Sequence, residues 1–213
     1  MNASLNLFTG VAMGLNLLAL GSSRIPSIIR AAAMQGMVIG ILPLLIGSHM
    51  TLLGLLVAVG TIGIKGFLIP HLLRRAMRSA NVDREEEPLI GFVPSLLLGA
   101  AATTGAVAFS GALPLLPEHS NVLLVPAALA TVVAGLLLLI GRTKAISQVC
   151  GYLLLENGIY LFGLLLINAM PLVVETGILL DLTVGVFVIG IIADRIQRAF
   201  DTLDTRKLTS LHE

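Results

Sequence analysis

Four ionisable side chains stand in apolar surroundings: Lys65 in GIKGFLIPHLL, Glu156 in GYLLLENGIYLFGLLL, Glu175 at the head of ETGILL, and Asp181 in DLTVG. A charge in such a setting is costly, and its default reading is a functional one. Burial favours the neutral form of a carboxyl or an amine, whereas an opposite charge nearby favours the ionised form. A group balanced between these influences gains and loses a proton as its neighbour's charge changes. Proton or cation transfer is therefore the chemistry these residues can do, and a static pair that locks helix packing is the competing use. Asn157, beside Glu156, donates and accepts at once and can bridge two helices.

Other chemistry finds little support. The single Cys150 offers no disulfide and no paired thiols for a metal, and reads as small interface filler. His49, His71, His119 and His212 lack metal-ligand spacing, and no phosphate loop or haem motif occurs. The chain is thus expected to bind no cofactor itself.

The elements that must hold these groups follow from composition. The 213 residues are 56% hydrophobic and 12% charged, with a mean hydropathy of +0.99; soluble domains are nearer 25% charged. Several apolar runs approach the roughly 20 residues that cross a bilayer as a helix. The fold class is all-α, a polytopic transmembrane helix bundle of about seven spans, near 4–21, 31–47, 51–73, 89–112, 122–141, 149–169 and 172–194. The stretch LALGSS loosely resembles a cleavage region, but no Lys or Arg precedes it, so the first run reads as a retained helix.

The connections alternate in charge. Arg24 and Arg30, then Arg74, Arg75, Arg78 and Arg84, then Arg142 and Lys144, and finally Arg195, Arg198, Arg206 and Lys207 fall on one side; GSHMT, PLLPEHSN and NAMP carry no Lys or Arg. Of 13 basic residues only Lys65 departs from this pattern. The positive-inside rule then places the N-terminus outside and the C-terminus inside. Basic residues confined to short loops make no nucleic-acid patch. The run DREEEP reads as a solvated connector ended by Pro88, and Asp194 beside Arg195 as an interfacial anchor. GVAMG and GMVIG have the small-residue spacing that lets helices approach closely.

With a rise of about 1.5 Å per residue, Lys65, Glu156 and Asp181 fall within roughly 7 Å of one depth, whereas Glu175 lies near the outer end of its span. Pro70 cannot donate to the carbonyl of Gly66, so the third helix is expected to kink one turn below Lys65. Lys65 is expected to meet a carboxylate on another helix, of this chain or of a different subunit.

GYLLLENG, IKGFLIPHLL, ETGILLDLTVGVFV and the terminal LDTRKLTSLHE closely resemble component E of hydrogenase-4, a membrane subunit of formate-hydrogenlyase-type energy-converting [NiFe] hydrogenases. The resemblance extends over essentially the whole chain. The last three helices also resemble the small K-type subunit of respiratory complex I, through Arg142 and Lys144, Gly151, Asn157 six positions on, and Asp181 with Arg195 fourteen positions on. The K-type middle helix carries its Glu where this chain has Leu153; here the acid is Glu156, three positions later and on the same helix face.

These resemblances imply a chain without a redox centre, set among antiporter-like and other membrane subunits in the inner (cytoplasmic) membrane of a prokaryote. Lys65, Glu156, Asn157, Asp181 and Glu175 would line a proton or sodium path. Any [NiFe] and iron–sulfur centres would belong to partner subunits. The expected organisation is a four-helix part (1–121), a three-helix K-type-like part (122–196) and a cytoplasmic tail (197–213). A purely structural scaffold, a subunit of a cation/proton antiporter-like complex without hydrogenase, and an independent small-molecule or ion transporter are the competing readings.

Overall fold

The computed structural model describes residues 2–46, 52–113 and 123–165, and every regular element among them is helical. In chain order these are α1 (Asn2–Gly21), α2 (Ile25–Ile46), α3 (Leu52–Thr61), a π-helical segment (Ile62–Leu68), α4 (Ile69–Ser79), α5 (Phe92–Ala112), α6 (Leu124–Gly141) and α7 (Ala145–Leu165). Ala3–Gly21, Ile25–Ile46, Phe92–Gly111, Leu124–Gly141 and Ala145–Leu165 are each long and apolar enough to cross a membrane. The chain is a multi-pass membrane protein. The expected span at 172–194 and the tail lie outside the described residues.

Local chemistry explains the ends. Pro26, Pro94 and Pro126 sit in the first turns of α2, α5 and α6, where a missing N–H breaks no helical bond. Behind α4, Asn81 adopts φ 51°. Its N–H donates to the Arg78 carbonyl at 3.2 Å, and that of Val82 to the Met77 carbonyl at 3.2 Å. This is the Schellman closure, with Asn in the left-handed position usually given to Gly. Helices α2, α4 and α7 run past the apolar stretches seen in the sequence. Arg30, Arg74, Arg75 and Arg78 lie on helical turns rather than in loops. Arginine is a good helix former whose long side chain carries its charge away from the core, so apolarity ends before the helix does.

The break expected near Pro70 takes the form of the π-helical segment, which ends where Ile69 donates its N–H to the Ile64 carbonyl. Such segments are frequent at functional sites, and this one carries Lys65.

Helices α6 and α7 form the most extensive pair, and α1 and α2 pack against them. Glycine makes the pair close. A Cβ at Gly151 would lie 2.6 Å from the Leu139 amide nitrogen, and one at Gly158 would lie 2.6 Å from that of Val132. Backbone cannot yield as a side chain can. Gly158→Ala is therefore expected to lower the amount of chain in membranes and Gly158→Val to lower it further. Quantitative immunoblotting of membrane fractions checks this, and an unchanged amount for both would refute it. The GMVIG glycines behave similarly: Cβ atoms at Gly36 and Gly40 would lie 2.9 Å from Lys65 Cβ and 2.9 Å from Ile62 Cγ1. Gly10 and Gly14 of GVAMG meet nothing within 4 Å among the described residues.

The three basic connections described meet at one end of the bundle. The Ile25 N–H donates to the Asp83 carbonyl at 3.1 Å, the Glu85 N–H to the Ser23 carbonyl at 3.0 Å, and the Ile90 N–H to the Gly141 carbonyl at 3.2 Å. At the opposite end the Leu123 N–H donates to Asn6 Oδ1 at 2.9 Å.

Candidate functional site

The π-helical segment turns Lys65 toward α7. Its Nζ lies 3.4 Å from Glu156 Oε1 and donates to Asn157 Oδ1 at 3.2 Å. The Tyr160 ring centroid is 5.8 Å from the same nitrogen. Gly36 leaves the space against which the Lys65 stem packs, and Gly151 and Gly158 hold α7 close to α6. Glu156 and Asn157 thus face away from α6, toward the π-helical segment and α2.

From Asn157 a line of neutral side chains continues through the bundle. Asn157 Nδ2 donates to Gln35 Oε1 at 3.2 Å. Gln35 Nε2 donates to Asn16 Oδ1 at 2.7 Å and to the Ala12 carbonyl at 3.1 Å. Asn16 Nδ2 donates to Thr131 Oγ1 at 2.9 Å. The line joins the π-helical segment, α7, α2, α1 and α6, and Asn16, Gln35, Thr131 and Asn157 are all buried. Every amide turns its oxygen toward the lysine end and donates away from it. That polarity suits an ammonium, which has three donors and no acceptor.

Amides do not titrate, so the line orients charge rather than carrying protons. The groups able to exchange a proton are Lys65, Glu156 and the Tyr160 phenol. Both Glu156 carboxylate oxygens are buried and accept no hydrogen bond among the described residues. Among the described residues the Lys65 charge is what holds the ionised form of Glu156.

Of the five residues singled out in the sequence, the structure brings Lys65, Glu156 and Asn157 together, while Glu175 and Asp181 lie outside the described residues. Sequence reasoning missed Asn16, Gln35, Thr131 and Tyr160. The available signal was two amides placed mid-span in α1 and α2, which weighing only ionisable groups overlooks.

A second polar centre lies at the basic end. Arg142, just past α6, is fully buried. One terminal nitrogen donates to the Ile90 carbonyl at 2.7 Å and to Ser95 Oγ at 3.4 Å. The other donates to the Leu20 carbonyl at 2.6 Å. The guanidinium carbon lies 4.7 Å from the Phe92 ring centroid. Desolvation lowers the Arg142 pKa, partly offset by the nearby Glu85 charge.

Glu85 corrects the reading of DREEEP as wholly solvated, because its side chain is buried. Oε1 accepts from the Thr143 N–H at 2.8 Å, the Thr143 hydroxyl at 2.7 Å and the Lys144 N–H at 3.0 Å. Burial by itself would raise the Glu85 pKa, but the hydrogen bonds from Thr143 and from the Lys144 N–H outweigh it and hold the pKa below the ordinary glutamate range.

Among the described residues no three His, Cys, Asp or Glu side chains are grouped to hold a metal ion. An uncharacterized protein of Mycobacterium tuberculosis is 35% identical over 189 residues, 88% of this chain and 86% of that protein. Hydrogenase-4 component E of Escherichia coli and of Shigella flexneri is 32% identical over 149 residues, 69% of this chain and 68% of the relative. No family model matches the chain, and no solved structure matches it.

Proposed function

The chain belongs to the hydrogenase-4 component E family, and we propose that it is a membrane subunit of a complex I-like energy-converting assembly in which its buried charges help to move protons or sodium ions. One observation carries this reading: an ammonium and a carboxylate, Lys65 and Glu156, meet inside the helix bundle on a polarised line of amides. A group whose charge must be neutralised and restored in each cycle needs a partner able to change charge with it, and the pair supplies one.

On this reading Asp181 and Glu175 extend the path, and the last three helices act as a K-type unit. Seven spans with the N-terminus outside and the C-terminus inside follow from the basic connections. The setting is the inner membrane of a prokaryote, among antiporter-like and other membrane subunits. Electron transfer, including any [NiFe] or iron–sulfur centre, belongs to the partners. A cytoplasm-only fluorescent reporter fused to the C-terminus should emit; a dark, normally expressed fusion would reject the orientation.

The functional test is gradient formation per electron in vesicles reconstituted with the purified complex. Lys65→Met should leave subunit content close to wild type and remove most of the gradient. Wild-type coupling in that variant would make the lysine incidental. A scaffold reading has its own supporting observation, since the amide line ties four helices and the π-helical segment together. It predicts that Lys65→Met loses assembly instead.

A further inference from the structure

A groove of about 680 Å³ opens between α2 and the π-helical segment with α4, within the roughly 300–1,000 Å³ typical of ligand sites. Lys65 and Glu156 are not among the residues that line it. Its two ends differ in chemistry. Arg30, His71 and Arg74 line one end; Met34, Met37, Gly63, Gly66, Phe67 and Leu68 are among those lining the rest. Arg30 lies five residues from the start of α2 and Arg74 five from the end of α4. At about 1.5 Å per residue both cations sit roughly 8 Å inside the helix ends, toward the end of the bundle where the basic connections meet. Met37 is seven residues further in than Arg30, on the order of 10 Å deeper.

The cations are available. Arg30 Nε donates to the Pro26 carbonyl at 3.3 Å, which leaves its terminal nitrogens. No ion pair with a carboxylate occupies Arg30 or Arg74 among the described residues. Both arginines and His71 are exposed. The apolar wall is open as well, with Met34 at 49% and Phe67 at 65% exposure. Gly63 and Gly66 keep that wall low: a Cβ at Gly66 would lie 2.5 Å from Met37 Cγ.

We propose that this groove binds an anionic phospholipid, its phosphate against Arg30 and Arg74 and an acyl chain along Met34, Met37, Phe67 and Leu68. Two guanidiniums that pair with no carboxylate among the described residues select a phosphate at interfacial depth, and an apolar channel leading inward from them selects an acyl tail. A free phosphate would leave the channel unused, and a zwitterionic lipid would bring its own cation beside the phosphate and no net negative charge to the two guanidiniums. Because Gly63, Gly66, Phe67 and Leu68 of the π-helical segment form part of the groove wall, a bound lipid would brace the backbone that carries Lys65.

The test uses the full chain in its purified, delipidated complex, incubated with phosphatidylglycerol or phosphatidylcholine of identical acyl composition and read by native mass spectrometry. Phosphatidylglycerol should be retained preferentially. The Arg30→Gln/Arg74→Gln variant should cut that retention by at least roughly tenfold, at about a factor of five per interfacial cation, and remove the preference over phosphatidylcholine. Arg30→Lys/Arg74→Lys should keep much of it, and Met37→Trp, which fills the channel, should reduce it with the charges intact. Equal retention of both lipids in wild type would overturn the proposal, and needs no variant. So would full displacement by millimolar inorganic phosphate, which would mark an anion site without a tail channel. A photo-crosslinker at Phe67 that captures a partner subunit rather than lipid would show a protein occupant and overturn it as well.

Discussion

Glu156→Gln in the purified complex is expected to give normal subunit content, normal electron transfer and a proton or sodium gradient reduced at least tenfold. Glutamine keeps the shape and an acceptor for the Lys65 ammonium, now 3.4 Å from the carboxylate, but cannot take up and release a proton. Removing one partner of a buried pair outright costs about 3–5 kcal/mol. The neutral isostere, together with the Asn157 acceptor, keeps the lysine hydrogen-bonded and limits that loss. The Lys65→Met/Glu156→Gln double variant separates two roles. If the pair only locks helices together, each single change lowers assembly and the double change restores both assembly and coupling, because neither member of the pair is left charged without the other. If the pair exchanges charge, all three variants assemble and none couples. Gradient per electron, with subunit content measured alongside, distinguishes these results. Full coupling in Glu156→Gln would end the transfer hypothesis for that residue.

Replacement of Arg142 should cost the most in stability. Its guanidinium satisfies the Leu20 and Ile90 carbonyls, so it closes the ends of α1 and α6 against the entry to α5. Arg142→Met would leave the buried Leu20 carbonyl without its side-chain donor, at about 1–3 kcal/mol, leave the Ile90 carbonyl only the Ser95 hydroxyl at 3.3 Å, and strip Glu85 of a neighbouring cation. The expected result is near-complete loss of the chain from membranes. Arg142→Lys should rescue little, since an ammonium is a compact point donor and cannot reproduce the planar fork. Normal amounts of either variant would show that the clamp is dispensable.

The same clamp should respond to acid. The folded-state pKa of Glu85 lies below its ordinary value. Its stabilising contribution is therefore complete above the unfolded-state pKa and is lost as pH falls through the folded one. Thermal melts of the complex should weaken over that acidic range, and Glu85→Gln should flatten the dependence while lowering stability at neutral pH.

By itself the sequence determined the membrane character, the helical class and the family. These rest on composition, run length and local motifs, which need no knowledge of how helices meet. It also picked out Lys65, Glu156 and Asn157, because a charge in an apolar run is conspicuous wherever the helix turns, and one rise per residue places Lys65 and Glu156 at one depth. Tertiary structure decided the partners. These spans are apolar on nearly all sides, so no polar face reveals which way each helix is rotated. Asn16, Gln35 and Thr131 therefore read as isolated polar residues until α1, α2 and α6 are packed, when they become one hydrogen-bonded line. Arg142 and Glu85 looked like loop charges for the same reason. Their burial comes from three connections converging at one end, and that convergence depends on contacts between residues as far apart as Leu20 and Arg142. Local periodicity sets where each helix runs, and only packing between helices sets what each side chain faces.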